Sequence, residues 1–274
     1  MTVSLPDFPG QVMSETVRGS THLLRQLGRR RWFRRLVVWT LFAAIYEVAA
    51  YIVGPFFLPT IQAVIGSTSG LVSDGAFSSL GGALKQMIVG YLVAVVVGVP
   101  LGVLIGVSRV ADYILGMYVK ALFVTSLIAV LPLLITLVGY GFAFRVTVVL
   151  LFAIFFIVLN TAAGVRDVDP QLLSMGRSVG ASRLRRAVSI TLPSSLPFII
   201  SGMRVALANS FGGMILAEIW IARDFGQILT GLAYNRDLPK FMELLWVITL
   251  LAAFSAAALK AIERRITPWA ASRR

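Results

Sequence analysis

The chain has 274 residues, 58% of them hydrophobic, and a mean hydropathy of +0.86. A soluble domain of that length has too little interior to hide so much apolar surface, so the excess faces lipid. The lack of cysteine excludes a disulfide scaffold and a thiolate metal site, and the lone His22 argues against a His-based metal centre or a Ser-His-Asp triad.

The first 24 residues lack an apolar core, and the first long apolar run begins at Leu36, after Arg29, Arg30, Arg31, Arg34 and Arg35. That order reads as a basic tail, residues 1–35, followed by a membrane span, and not as a cleaved signal peptide. A span needs about 20 mostly apolar residues to cross roughly 30 Å of hydrocarbon. Six stretches qualify: Leu36–Val53, Leu84–Val107, Ala121–Val138, Val146–Ala163, Leu196–Ile219 and Leu244–Ile262. The expected fold class is therefore an all-α membrane protein. Its transmembrane domain covers residues 36–265, with a core at about 80–264, and a short tail follows at 266–274.

Orientation follows from the distribution of Lys and Arg. With the N-terminus in the cytosol, nineteen fall on the inner side, five on the outer side, and Arg204 within a span. Both termini and the loop at residues 165–193 are thus expected in the cytosol. The net charge of +13 is explained as an orientation signal, without recourse to nucleic acid or to an anionic substrate.

Five polar side chains fall in or near spans: Glu47, Asn160, Arg204, Asn209 and Glu218. A charge at a helix centre in lipid costs at least about 2.5–3.5 kcal/mol, so such groups face protein or a watery path. Glu47 either makes a structural contact or serves a pore. Arg204 snorkels to the cytosolic face, finds a partner or contacts substrate. Asn209, Ser210, Gly212 and Gly213 combine polar groups with bare backbone at mid-span, which suits either a translocation path or close helix packing. Glu218 is placed either to shape an external gate or to pair locally beside Arg223 and Asp224. Ser126 and Pro132 in the third span are weaker path candidates.

The loop between the fourth and fifth spans carries the most local design. Asp169-Pro170 is a helix start, a capping side chain followed by proline at the first helical position. Residues 171–179 continue as a short helix, Gly180 can take the left-handed conformation that ends one, and Ser182 can cap a second. Pro193 is expected to stop that second helix before the fifth span. Read by charge alone, this is an ordinary positive-inside loop.

Its spacing says more. From Gly180, nine residues lead to Ile190, then one residue, then Leu192-Pro193. This resembles the signature loop of type I ATP-binding-cassette importer permeases: E-A-A, three residues, G, nine residues, I, one residue, L-P. The first triplet falls on Ser174, Met175 and Gly176, so the family glutamate is missing. Residues 90–108, "GYLVAVVVGVPLGVLIGVS", are similar to the second-span pattern of the same family. Residues 129–141, "AVLPLLITLVGYG", resemble its A-W-x-P-L stretch, with Val130 in place of the tryptophan. Residues 45–50, 57–64 and 215–220 resemble the family's first span, the following turn and the end of the fifth.

The resemblance spans roughly residues 40–265 and points to the branch that moves nitrate, sulfonates, taurine and related small organic molecules. It implies a six-span importer permease in the plasma membrane. In this family Ser174, Met175, Gly176, Gly180, Ala181, Ser182, Ile190, Leu192 and Pro193 would belong to the loop that docks on a cytosolic ATPase. The further partners it implies are an extracytoplasmic substrate-binding protein and a second permease copy, within membrane lipid. No cofactor, metal or catalytic residue is expected.

No G-x-x-x-x-G-K-S/T loop occurs, so ATP hydrolysis is assigned to the separate subunit. A secondary transporter or channel is the alternative, but it shows no internal repeat and leaves the basic helical loop unexplained. A membrane-embedded enzyme lacks the clustered acid pair, cysteine or core histidine that its chemistry needs.

Overall fold

A computed structural model describes residue 33 and residues 36–54 and 56–267. The basic tail, apart from residue 33, and the C-terminal tail beyond residue 267 lie outside the described residues, as do the side chains of Arg183 and Leu184. Among the described residues there are helices and no strands.

The chain divides into two compact units, residues 1–63 and 64–274. The first contains α1, Leu36–Val53, which is long and apolar enough to cross a membrane. Glu47 is not left bare in this span. Its Oε2 accepts a hydrogen bond at 3.0 Å from the backbone N–H of Ile61, the first residue of the short helix α2, Ile61–Gly66. Tyr46 Oη donates to the Pro59 carbonyl at 2.9 Å. Both polar side chains thus fix the turn after α1.

The second unit continues with α3 (Thr68–Ser73) and α4 (Ala76–Val107). Next come α5 (Arg109–Ala111), a π turn at Asp112–Gly116, α6 (Met117–Val124) and α7 (Leu127–Val138). Then follow α8 (Phe142–Arg166), α9 (Pro170–Ser178), α10 (Arg183–Arg186), a second π turn at Ala187–Thr191, and α11 (Leu192–Ile221). The unit ends with α12 (Phe225–Tyr234) and α13 (Leu238–Ile266).

Three features differ from the sequence expectation. The second span begins at Ala76, eight residues before the apolar run, because Phe77 and Leu80 supply core contacts that hydropathy averaging dilutes. The third span is broken: Arg109–Val124 and Leu127–Val138 meet at 103°. Thr125 and Ser126 are extended there, with ψ of 135° and 105°. Pro193 does not stop a helix. Residues 187–221 run on as one helix, and the wide π turn just before α11 accommodates the proline that lacks an N–H.

The bundle is centred on α8, flanked by α4 and α11. In lipid there is no hydrophobic drive between helices, so close packing must hold them together. α4 presents Gly90, Gly98, Gly102 and Gly106 to α8. A Cβ at Gly102 would lie 2.8 Å from the Val158 carbonyl oxygen and 2.6 Å from Thr161 Cβ. On the other side, a Cβ at Gly202 of α11 would come within 2.6 Å of Asn160 Cβ. These gaps fit glycine and no other residue without helix displacement. Arg204 of α11 finds a partner in Glu263 of α13, at 3.3 Å.

Candidate functional site

Two polar regions lie at opposite ends of the α8–α11 pair. One is the loop from the end of α8 to the start of α11. The other surrounds Arg145 near the start of α8 and Glu218 near the end of α11. The 21 helical steps from Arg145 to Arg166 span about 32 Å at 1.5 Å each, the thickness of a hydrocarbon core.

At the loop end, the Asp169 side chain caps α9 by accepting from the Gln171 N–H at 2.8 Å, with Pro170 in the first turn. α9 terminates where Gly180 takes φ +72°. The Ala181 N–H then bonds back to the Gly176 carbonyl at 3.0 Å, closing the helix end. The Ser182 hydroxyl accepts from the Arg185 N–H at 3.3 Å and starts the next turn.

Gly176 is buried. A Cβ there would lie 2.7 Å from Ile190 Cδ1 and 3.2 Å from the Arg186 stem. Two motif positions separated in sequence are therefore packed against each other. Ser174 is exposed, its hydroxyl donating to the Gln171 carbonyl at 2.7 Å. Leu192 and Pro193 are exposed at the base of α11.

Folding back on Ile190 sets which face of α9 remains open. Leu172, Met175 and Val179 recur at helical spacing and are 37%, 64% and 86% exposed. Three apolar side chains on a loop rich in arginine are left uncovered among the described residues. Arg166 anchors the root of the loop. Its Nη2 lies 2.6 Å from Asp112 Oδ1 and donates to the Ile105 carbonyl at 3.4 Å.

At the far end, Glu218 is 2% exposed. It pairs across the bundle with Arg145, whose Nε lies 2.9 Å from Glu218 Oε1. Arg145 Nη2 also reaches Asp224 Oδ2 at 3.3 Å. The Gly226 N–H donates to Glu218 Oε2 at 3.2 Å. Gly226 packs so tightly on the Glu218 backbone that a Cβ would overlap its carbonyl. The tight turn from α11 to α12 places Ala222 and Asp224 at φ +49° and +50°, uncommon for residues other than glycine. Arg145 was legible in the sequence only as an outer-side positive charge. Its burial beside Glu218 depends on the antiparallel register of α8 and α11.

The other path candidates separate onto two faces of α11. Ser210 and Gly213 point into the packed interior: the Ser210 hydroxyl donates to the Ala206 carbonyl at 2.9 Å, and Gly213 lies against Phe152. Asn209 and Gly212 share a more open face, with nothing within 4 Å of a Cβ at Gly212. Asn209 Nδ2 donates to the Val205 carbonyl at 2.9 Å. Ser126 and Pro132 are exposed in the bent third span. No group of three or more metal-ligating side chains occurs among the described residues.

A family model described as binding-protein-dependent transport system inner membrane component matches residues 98–270. The chain belongs to that family. As a binding-protein-dependent transport permease it is a multi-pass inner-membrane protein, and its family works with a binding protein. It is 26% identical over 241 residues to the taurine transport system permease protein TauC of Escherichia coli (strain K12), covering 85% of this chain and 86% of that protein. It is 24% identical over 248 residues to the putative aliphatic sulfonates transport permease protein SsuC of Bacillus subtilis (strain 168), covering 88% and 90%. The permease also superposes on a chain of the MetNI methionine ABC transporter in an inward-facing conformation. The TM-score is 0.59 at 20% identity, covering 73% of this chain and 97% of that one, which is a likeness of fold.

Proposed function

We propose that this permease forms, with a second copy of itself, the path by which a small organic solute crosses the membrane, driven by a separate cytosolic ATPase. An external binding protein delivers the solute. The taurine and sulfonate names of its relatives support a small solute of that kind as cargo.

One observation carries the ATPase assignment. Gly180 and the Gly176–Ile190 contact fix α9 so that Leu172, Met175 and Val179 face outward together. An exposed apolar stripe on a short capped helix suits docking into a cleft of another protein. In that reading α9 is the coupling helix, and closure of the ATPase is transmitted through it to α8 and α11. The missing glutamate at Ser174 leaves the apolar stripe to supply the contact.

Replacing Met175 and Val179 together by glutamate should leave the permease inserted and monodisperse but abolish co-purification of the ATPase. Retention of the ATPase by that variant would refute the docking assignment. Orientation is tested with single cysteines. Ser69 and Asn235 are exposed and should react from outside, while the exposed Ser189 should not. Labelling at Ser189 in intact cells would reverse the topology.

A further inference from the structure

The far end of the bundle contains a cavity of about 260 Å³. Its walls are the first turns of α4 (Ser78, Ser79, Gly82, Ala83 and Gln86) together with Glu218 and Asp224. That volume is smaller than a typical drug-sized pocket and suits a solute of a few heavy atoms.

The lining is one-sided in charge. It contains two carboxylates, two hydroxyls and one amide, and no lysine or arginine. Gln86 Oε1 is buried and has no hydrogen-bond partner. An orphaned buried acceptor carries a desolvation cost that a donor would remove. Gly82 adds room, because nothing lies within 4 Å of a Cβ built there.

The charge balance points the same way. Glu218 and Asp224 are two carboxylates, and among the described residues Arg145 is the one cation paired with both. Arg145 is itself buried in the first turn of α8 and is not among the residues that line the cavity. A monocation bound there would complete the balance and give Gln86 Oε1 its donor. A nitrate ion or a bare sulfonate group could take donors from Ser78, Ser79 and the Gln86 amide, but it would have to sit beside the Glu218 and Asp224 carboxylates with no lining cation to offset them.

We infer that this cavity binds the protonated amino end of a small solute. The inference rests on the chain being a solute permease and narrows its cargo to amine-bearing molecules. Gln86 Oε1, Asp224 and a serine hydroxyl, Ser78 or Ser79, accept hydrogen bonds from the three ammonium N–H groups. Glu218, held by Arg145 and the Gly226 N–H, supplies field without releasing its own partners.

The test uses the full-length permease in nanodiscs and three two-carbon probes: ethylammonium, ethanol and ethanesulfonate. Calorimetric titration should show saturable binding of ethylammonium alone. Gln86→Leu and Asp224→Asn should each weaken it about tenfold or more. Asparagine has the same shape as aspartate, so that variant asks nothing new of the positive-φ turn at position 224. Ser79→Ala supplies a third, milder variant if Gln86→Leu fails to fold.

Ethanesulfonate binding as tightly as ethylammonium would overturn the assignment. So would unchanged ethylammonium affinity in the folded variants, or no binding to the folded wild type. ATPase co-purification from the same preparations reports the permease reading separately. Permease that retains the ATPase but ignores ethylammonium sinks the cavity assignment alone. Ethylammonium binding without any ATPase partner supports the cavity and removes the ATPase assignment.

Discussion

The two ends of the α8–α11 pair solve the same problem, placing polar groups beside lipid, in opposite ways. The loop end satisfies its backbone locally: Asp169 caps two residues on, and Gly180 ends the helix it follows. Arg166, Asp169, Arg177 and Arg185 are exposed, and Leu172, Met175 and Val179 face outward. The far end satisfies its charges globally. Arg145 and Glu218, 73 residues apart, neutralise each other inside the bundle. Local satisfaction leaves a surface free to meet a partner, whereas global satisfaction ties helices together and shapes the cavity between α4 and α11.

The sharpest way to break this comparison is Arg145→Leu. It leaves Glu218 buried without its cation, and removing one partner of a buried pair costs about 3–5 kcal/mol. Thermal unfolding in nanodiscs should show a large drop, and replacing Glu218 by leucine as well should recover part of it. A single variant with wild-type melting would mean that the far end is not held by this pair.

Gly180→Val is the counterpart at the loop end. Nothing lies within 4 Å of a Cβ there, so the cost is backbone strain alone, about 1–2 kcal/mol. The bundle should melt as wild type while ATPase co-purification falls about tenfold or more, because α9 is misdirected. Normal ATPase binding would make this an ordinary orientation loop.

Asp169→Ala should be milder. Losing an N-cap costs about 1 kcal/mol, enough to fray α9 and lower ATPase affinity about fivefold. Faster amide exchange confined to α9 would be the direct readout. The smallest effect belongs to Arg166→Ala. Its ion pair with Asp112 is partly exposed, 43% and 35% by side chain, so its loss should cost about 1 kcal/mol or less. A larger loss in a melting experiment would show that the loop end also depends on long-range charge pairing.

How much was legible in advance follows the same division. The span count and the loop helix were written in short-range terms, a run of about 20 apolar residues and a capping residue before proline. The start of α4 at Ala76 was not, since its first turns owe their place to packing around Leu80 and Ala83. Nor was the bend at Thr125–Ser126, where the third span carries no proline at the break. Pro193 misled for a related reason: proline ends a regular helix, but a π turn lets one continue through it.

By itself, then, the sequence determined the membrane class, the capped loop and its glycine pivot, because each is encoded within one turn of helix or one hydrophobic run. Only the tertiary structure decided that Gly176 meets Ile190 and that Arg145 meets Glu218. It alone decided that Gln86 shares a cavity with Glu218 and Asp224. Those pairings depend on the register of antiparallel helices, and register is set by many small contacts along α4, α8 and α11 that no single stretch of sequence carries.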